Sequence, residues 1–293
     1  MEEYYWDTQL EYIGIMRDLY YNDDYLEFLV NNVWKLSKPI HIIDFGCGYG
    51  YLGLKLLPLF PTGSKYTGID KGQQHINKKK ELFHSLPYET EFFVADTNEI
   101  ELESKYDIAV CHAFLLHMSE PQKKSFKKWL VQLSNRGKVI CFEPHWISGL
   151  SSYYINGHEQ SQIVSLGILQ KLFEEDTKRN GKDGNIGVKV PQYLSELGVE
   201  NIECRVSDKV NFLNPNVTQK DKEKLYNSLK EDGLGEVPSH REAFIEGLKN
   251  RGVKLKEAQE QYDAELLFSQ VFNIDSSLIY APNMKITFGE VKK

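Results

Sequence analysis

The residues most suited to binding a small ligand lie in one glycine-rich segment. It reads Asp44-Phe45-Gly46-Cys47-Gly48-Tyr49-Gly50 and separates an apolar, strand-like run from a helix predicted to begin near Tyr51. Glycines let the backbone turn tightly and let a ligand approach it without a Cβ in the way. The start of a helix also offers unpaired N–H groups to a negatively charged group. Because the Asp44 carboxylate beside this loop would repel a pyrophosphate, the pattern favours a ligand that carries positive charge.

Two further acids follow the next predicted strands. Asp70 ends the second strand, from where a carboxylate can accept hydrogen bonds from both hydroxyls of a ribose. Asp96 follows the third strand, where a carboxylate can accept a hydrogen bond from the exocyclic amine of an adenine. The carboxyl ends of parallel strands meet at the crevice where open α/β sheets bind their ligands. The three acids are therefore predicted to face one crevice.

The elements that must position these acids alternate along the chain. Short apolar runs, typical of strands, are separated by stretches with helical character, which indicates βαβ units and a parallel sheet. The predicted strands are 40–45, 65–70, 91–95, 106–111, 138–142, 201–212 and 278–289, and the helices between the first five begin near 51, 73 and 121. This layout predicts an α/β fold with a doubly wound, seven-stranded, mostly parallel sheet of the Rossmann-like type.

Three stretches outside this alternation are predicted to be helical additions to a single domain that spans 1–293. They are residues 1–35, 148–180 and 214–275. The last is far longer than a hairpin connection requires, so it is expected to be an inserted element and not a loop. We expect the additions to form a cap over the active site.

The composition narrows the classes of partner and location. The chain has 293 residues and a net charge of −7 at pH 7, which disfavours binding to a phosphate backbone, so no nucleic acid is expected as a partner. No run approaches the length of a membrane span, and the N-terminus lacks the apolar region of a signal peptide, so a cytoplasmic location is expected. The four cysteines, Cys47, Cys111, Cys141 and Cys204, form no CxxC pair and indicate reduced thiols, with no metal site expected.

Taken in order, these motifs resemble those of class I S-adenosylmethionine (SAM)-dependent methyltransferases. The likeness is closest to the group that includes bacterial small-molecule and ubiquinone/menaquinone-biosynthesis methyltransferases. It rests on Asp44-x-Gly46-x-Gly48-x-Gly50, Asp70, Asp96, the 106–111 strand leading into Phe114-Leu115-Leu116-His117, and Val139-Ile140-Cys141-Phe142-Glu143-Pro144. It covers about residues 38–146 well and the last two strands by pattern alone.

The resemblance implies methyl transfer from SAM to a small-molecule acceptor that the sequence does not identify. It implies that Gly46, Gly48 and Gly50 line the methionine part of SAM and that Asp70 holds the ribose. It places Asp96 and Thr97 beside the adenine, His112 or Ala113 near the sulfonium, and Lys71 and Ala95 with the same cofactor site. A homo-oligomer stays open.

Residues of the acceptor side are predicted from position. His145 and Trp146 directly follow the fifth strand, and His145 could act as a general base for an O–H or N–H acceptor or simply pack in the loop. His117 is a candidate contact or a structural histidine. Tyr5 and Trp6 could close the pocket or anchor the first helix. Arg17 could pair with the SAM carboxylate or lie exposed.

Two other functions stay open. Gly48-x-Gly50-x-x-Gly53 also fits a dinucleotide fingerprint, with Asp70 as the ribose acid, which would indicate an NAD-dependent oxidoreductase. That interpretation leaves Asp44, Asp96 and the Glu143-Pro144 pair unexplained. A non-catalytic SAM-binding protein on the same fold is the second alternative.

Overall fold

A central sheet of seven strands is the main feature of the computed structural model, which describes residues 18–73, 77, 80, 82–84, 86–97, 99–102, 105–119 and 126–292. The described residues form ten strands in all, seven in this sheet and three in a second one: β1 (His41–Phe45), β2 (Lys65–Asp70), β3 (Glu89–Val94), β4 (Tyr106–His112), β5 (Leu133–Pro144), β6 (Tyr153–Ile155), β7 (Val199–Val206), β8 (Asn211–Leu213), β9 (Leu278–Tyr280) and β10 (Met284–Val291). The order across the main sheet is β3-β2-β1-β4-β5-β10-β7. The first five strands run parallel, and β10 pairs antiparallel with both β5 and β7. The predicted fold class is confirmed.

The last two predicted strands are each broken in two, which corrects the sequence-based boundaries. The 201–212 strand separates into β7 and β8, and the 278–289 strand separates into β9 and β10. Pro282 lies in the second break, where it has no N–H to donate to a neighbouring strand. The detached pieces pair with β6 in a separate antiparallel sheet of order β6-β9-β8. β6 itself lies inside the 148–180 segment, which was predicted to be helical throughout.

The helices follow the predicted plan with shifted ends. The described helices are α1 (Asp23–Phe28), α2 (Tyr51–Leu56), α3 (Trp146–Leu150), α4 (Gln160–Ile163), α5 (Leu166–Asn180), α6 (Val190–Glu196), α7 (Gln219–Glu231), α8 (Arg241–Asn250) and α9 (Leu255–Val271). A π-helical turn (Leu29–Val33) extends α1, and 3₁₀ turns occupy Leu57–Leu59, Leu115–His117 and Ile186–Val188. Residues 126–130 are helical as predicted, but Leu133 already belongs to β5. Within the part of the chain that the structure describes, none of the helices has the length and apolar character needed to cross a membrane.

Both faces of the main sheet are covered, as a parallel sheet requires. Successive residues of a strand point to opposite faces, so Ile42 of β1 joins one apolar cluster and Ile43 joins the other. On the second face, the Phe45 ring stacks on Trp129 with a centroid distance of 4.1 Å. The sheet edge that carries the predicted site is therefore held by packing on two sides.

A third apolar cluster joins the helical additions to the N-terminal segment. It contains Leu19, Ile155 of β6, Leu213 of β8, Leu229 of α7 and Leu278 of β9. The side chain of Asn211 strengthens this junction, because its Nδ2 donates to the carbonyl of Leu19 at 3.0 Å. The side chain of Leu19 is therefore buried in the same apolar cluster as residues of the second sheet and of the 214–275 helices.

Phe142 links the first face of the main sheet to the N-terminal segment, and we expect its loss to be costly. Its ring is fully buried and makes edge contacts with Tyr21 and Trp34, with centroid distances of 5.7 and 6.1 Å. Phe142→Ala should lower the free energy of unfolding by about 3–5 kcal/mol because it removes buried area and leaves a cavity. Phe28→Ala is the matched control, since Phe28 is 48% exposed, and it should change that free energy by less than about 1 kcal/mol. Equal losses in urea titrations of the two variants would contradict this account of the core.

Candidate cofactor and acceptor site

The glycine-rich loop folds back over the carboxyl end of β2. Gly46, Gly48 and Gly50 have φ values of +67°, +53° and +87°, a region that side chains other than glycine rarely adopt. The N–H groups of Gly46 and Cys47 both donate to the carbonyl of Ile69, at 2.9 and 3.1 Å. Since α2 begins directly after Gly50, the loop and the first turn of that helix face the same crevice.

Asp70 ties this loop to the end of β2. Its Oδ2 accepts a hydrogen bond from the Gly48 N–H at 2.8 Å, and its Oδ1 accepts one from the Gly72 N–H at 2.9 Å. The Asp70 carbonyl accepts a hydrogen bond from the Ala95 N–H at 2.9 Å. The structure therefore brings together the glycine loop, Asp70 and the residue before Asp96, which the sequence placed in one site.

Asp96 and Lys71 form an ion pair at the same edge. Lys71 Nζ lies 2.7 Å from Asp96 Oδ2, and both side chains are partly accessible to water. Such a partly exposed ion pair contributes little to stability. Thr97 is buried, and its carbonyl accepts a hydrogen bond from Trp129 Nε1 at 2.9 Å, which anchors the turn that carries Asp96.

Asp44 lies within the sheet and not at its rim, because β1 continues to Phe45. Its side chain is 1% exposed, and its Oδ2 accepts a hydrogen bond from the Tyr66 hydroxyl at 2.6 Å. Burial, and after it the neighbouring Asp44 carboxylate, raises the pKa of Tyr66, which stays a hydroxyl donor. Asp44 therefore does not lie at the rim of the crevice. It can influence the glycine loop through its negative charge and through the position of β1, from which the loop begins.

At the end of β4, His112 meets the N-terminal segment. The His112 side chain is buried, and its Nε2 lies 3.1 Å from the hydroxyl oxygen of Tyr21. Its ring also lies near Tyr51, the first residue of α2, with 6.1 Å between the ring centroids. His112 thus contacts side chains from both the N-terminal segment and the helix that follows the glycine loop.

The turn after β4 packs directly on the glycine loop. Ala113 has a φ of +49°, and its N–H donates to the carbonyl of Phe142 at 2.8 Å. The turn brings the Phe114 ring so close that a Cβ added to Gly46 would lie 1.9 Å from Phe114 Cδ2. Gly46 is therefore required both for its backbone conformation and for the seat of the Phe114 ring.

Glu143 holds this turn, a role that the sequence reasoning did not assign. Its Oε1 accepts hydrogen bonds from the N–H groups of Phe114 and Leu115, at 3.0 and 2.8 Å, and its Oε2 accepts one from Leu116 at 3.3 Å. Burial raises the pKa of this fully enclosed carboxyl to about 7, although the three backbone donors act in the opposite direction. The available signal in the sequence was an acid placed directly after an apolar strand.

The predicted acceptor residues lie at the same end of the sheet but make contacts of their own. His145 precedes α3, and its Nδ1 contacts the hydroxyl of Ser148. Burial, and then the nearby Lys285, lowers the pKa of His145, so its ring is neutral near pH 7. The Trp146 ring packs against Phe173 of α5, with 5.2 Å between the centroids.

The other predicted site residues are placed as follows. His117 is half-buried in the 3₁₀ turn after β4, and its N–H donates to the carbonyl of Phe114 at 3.0 Å. Tyr5, Trp6 and Arg17 lie outside the described residues. In the described part of the chain, no group of three or more His, Cys, Asp or Glu side chains has the arrangement of a metal site.

Comparison with known proteins finds similarity to methyltransferases over part of the chain. Residues 43–139 match a family model described as a methyltransferase domain. The chain is 28% identical over 167 residues to a malonyl-[acyl-carrier protein] O-methyltransferase of Bacillus cytotoxicus, which covers 55% of this chain and 57% of that protein. A protein of the same name from Acetivibrio thermocellus is 34% identical over 77 residues, 26% of each chain. The chain thus spans little more than half of the first relative and about a quarter of the second.

Solved structures share the fold at low identity. A SAM-dependent methyltransferase from Geobacter sulfurreducens, solved with S-adenosyl-L-homocysteine, aligns with a TM-score of 0.51 over 99% of this chain and 100% of its own, at 12% identity. A phosphoethanolamine N-methyltransferase from Haemonchus contortus aligns with a TM-score of 0.50 over 97% of this chain and 58% of its own, at 16% identity. The fold and the family match confirm the predicted resemblance to class I SAM-dependent methyltransferases.

The raised pKa of Glu143 predicts a measurable dependence of stability on pH. Between the ordinary value of 4.5 and about 7, the folded chain keeps a proton that the unfolded chain has lost. The free energy of unfolding should therefore fall by roughly 3 kcal/mol as pH rises through this window, and this contribution should be level above it. Glu143→Gln, which cannot ionise, should remove that part of the slope.

The measurement is a urea titration at about pH 5 and about pH 8 for the native chain and for Glu143→Gln. Glu231→Gln is the control, because Glu231 is exposed and should leave the slope unchanged. Parallel pH profiles for the native chain and Glu143→Gln would show that the carboxyl titrates normally.

Proposed function

We propose that this chain transfers the methyl group of SAM to a small-molecule acceptor. The observation that carries the proposal is the carboxylate of Asp70, hydrogen-bonded to the Gly48 N–H at the mouth of the crevice, with the Lys71–Asp96 pair beside it. An acid in this position can receive the ribose hydroxyls, and an acid at Asp96 can receive the adenine amine. The family match over 43–139 contains all of these residues.

Methyl transfer from SAM needs little chemistry from the protein itself. SAM, when bound, would supply a methyl carbon that an acceptor atom can attack in line, with the carbon–sulfur electron pair passing to the sulfur of S-adenosylhomocysteine. The protein contributes positioning and exclusion of water, together with a base where the acceptor must lose a proton. We assign the methionine part of SAM to Gly46, Gly48 and Gly50, and the neighbourhood of the sulfonium to His112 and Ala113. The neutral ring of His145 is the candidate base.

We further infer that the helical additions cap this site. Tyr21 contacts His112, and Leu19, two residues earlier in the chain, belongs to the apolar cluster of the second sheet and α7. The N-terminal segment therefore links the cap to the end of β4, where the acceptor would meet the methyl group. A cap in this position would exclude water from the site, as methyl transfer requires.

Partners and location belong to the same proposal. The net charge of −7 supports an acceptor other than nucleic acid. Among the described cysteines no disulfide is formed, which supports a reducing compartment such as the cytoplasm. The name of the two curated relatives makes a carboxyl group on a carrier protein a second candidate acceptor, favoured by the 167-residue match.

Titration with S-adenosylhomocysteine, SAM, NAD and FAD tests the cofactor assignment. We expect SAM to bind with a dissociation constant in the micromolar range, on the order of −7 to −8 kcal/mol, and to be displaced by S-adenosylhomocysteine but not by NAD. Clear binding of NAD without binding of SAM would replace the proposal with the oxidoreductase alternative. Binding of SAM without methyl transfer to any acceptor class would favour a non-catalytic SAM-binding protein.

Asp70→Ala should weaken SAM binding by roughly 2–4 kcal/mol, since it removes charge-assisted hydrogen bonds to the ribose. Isothermal titration gives the affinity, and circular dichroism checks that the variant is folded. Asp263→Asn, which alters an exposed acid of α9, is the control and should bind SAM as the native chain does. An unchanged affinity in folded Asp70→Ala would remove Asp70 from the site.

A further inference from the structure

A carboxylate in the cap, Asp232, is surrounded by tyrosines. The Tyr20 hydroxyl donates to Asp232 Oδ1 at 3.3 Å, and the Tyr280 hydroxyl lies close enough to lower the pKa of the same carboxyl group. Tyr153 lies directly opposite Tyr280 on the neighbouring strand, with 4.9 Å between the ring centroids. Three separate segments, the N-terminal one, the second sheet and the end of α7, therefore converge on one acid.

This acid has no cationic partner among the described residues. The nearby hydroxyls of Tyr20 and Tyr280 are neutral, and no lysine, arginine or histidine of the described chain pairs with Asp232. Burial raises the pKa of Asp232 to about 7, the result expected when a carboxylate is removed from water without an opposite charge nearby. A group in this state gains most from a ligand that brings the missing positive charge.

The cluster around Asp232 is only partly enclosed. Asp232, Tyr20 and Tyr153 are half-buried, so part of each surface reaches water, while Tyr280 is buried behind them. Aromatic faces beside a carboxylate favour an ammonium group, which can contact the rings and the acid together. The chemistry of the cluster therefore suits a cationic amine and disfavours a free carboxylate.

A row of aromatic rings joins this cluster to the cofactor loop. Tyr20 lies 6.2 Å from Tyr21, and Tyr21 lies 5.8 Å from His112, between ring centroids. From His112 the row continues to Tyr51 at 6.1 Å and then to Tyr49 at 6.3 Å, on either side of Gly50. Asp232 thus stands at one end of an aromatic wall whose other end is the proposed SAM loop.

We propose that the methyl acceptor is an amine-bearing small molecule and that Asp232, framed by Tyr20, Tyr153 and Tyr280, binds its ammonium group. This inference rests on the proposed methyltransferase function, because it concerns the acceptor side of the same site. Asp232 is a specificity-determining residue that selects an acceptor by charge. The negative charge of Asp232 would repel the carboxyl acceptor that the names of the curated relatives suggest.

The test uses matched compounds with the full-length chain saturated with S-adenosylhomocysteine. One set is tyramine, tyrosol and 4-hydroxyphenylacetate, and a second is 5-aminopentanol, 1,5-pentanediol and 5-hydroxypentanoate. Within each set only the terminal group changes, from amine to alcohol to carboxylate. We expect the amine of at least one set to bind at least about tenfold more tightly than its alcohol and its carboxylate. Equal binding within both sets, or binding of neither, would overturn the inference.

Asp232→Asn is the matched variant, because it keeps the shape and a hydrogen-bonding group while removing the charge. It should lose the preference for the amine, by about tenfold or more, and keep its affinity for S-adenosylhomocysteine. Glu231→Gln, the adjacent exposed acid, is the control and should keep the preference. A preference that survives in Asp232→Asn would also overturn the inference, and the comparison of compounds on the native chain decides it if that variant does not fold.

Proton release gives a readout that a purely structural role would not produce. Because the pKa of Asp232 is about 7, roughly half of the molecules carry its proton at pH 7, and binding of an ammonium should expel it. Calorimetry in two buffers of different ionisation enthalpy should show this release with the native chain and not with Asp232→Asn. Failure of the chain to bind S-adenosylhomocysteine would reject the proposed function. Binding of S-adenosylhomocysteine together with methyl transfer only to acceptors that carry no amine would reject the amine-bearing acceptor and leave the proposed function standing.

Discussion

The enclosed carboxylate of Glu143 gathers three backbone N–H groups from the turn that follows the neighbouring strand β4. Removing a carboxylate from water is unfavourable, and these donors compensate only in part, as the raised pKa of the group records. The compensation fixes the turn, the turn seats the Phe114 ring over Gly46, and the glycine loop is thereby held between β2 and β4. The geometry of the proposed cofactor site depends on this single acid.

The N-terminal segment transmits the order of the sheet to the additions. Tyr21 packs on Phe142 of β5 and lies within hydrogen-bonding distance of His112, while Leu19 packs against the helical additions and the second sheet, and its carbonyl accepts a hydrogen bond from Asn211. Two residues of one short segment thus pack in different places: Tyr21 on the main sheet, and Leu19 among the second sheet and α7. Residues 18–21 therefore contact both the main sheet and the helical additions.

Negative charge is the common property of the ligand-binding edge. Asp44 lies beneath the glycine loop, Asp70 and Asp96 lie at its rim, and Asp232 lies at the far end of the aromatic wall. SAM carries both an ammonium and a sulfonium, so in the proposed site the acids near the loop would attract the cofactor and would repel a pyrophosphate. An acceptor with a positive charge would follow the same electrostatic logic on the other side of the transferred methyl group.

The sequence by itself determined the first half of the fold and which residues stand at the proposed cofactor edge. Strand β1, the glycine loop, α2 and β2 are contiguous, and their apolar periodicity, glycines and strand-end acids are local signals that need no distant partner to be recognised. The tertiary structure alone decided the rest. The break near Pro282 creates β9 only because β6 and β8 are there to pair with it, and Asp44 is enclosed because Tyr66 reaches it from the next strand. Glu143 finds its donors in a turn near residue 115, and Asp232 finds Tyr20 across more than two hundred positions of the chain. A side chain's burial and partners are properties of packing, and packing joins residues whose separation along the chain carries no pattern that can be read locally.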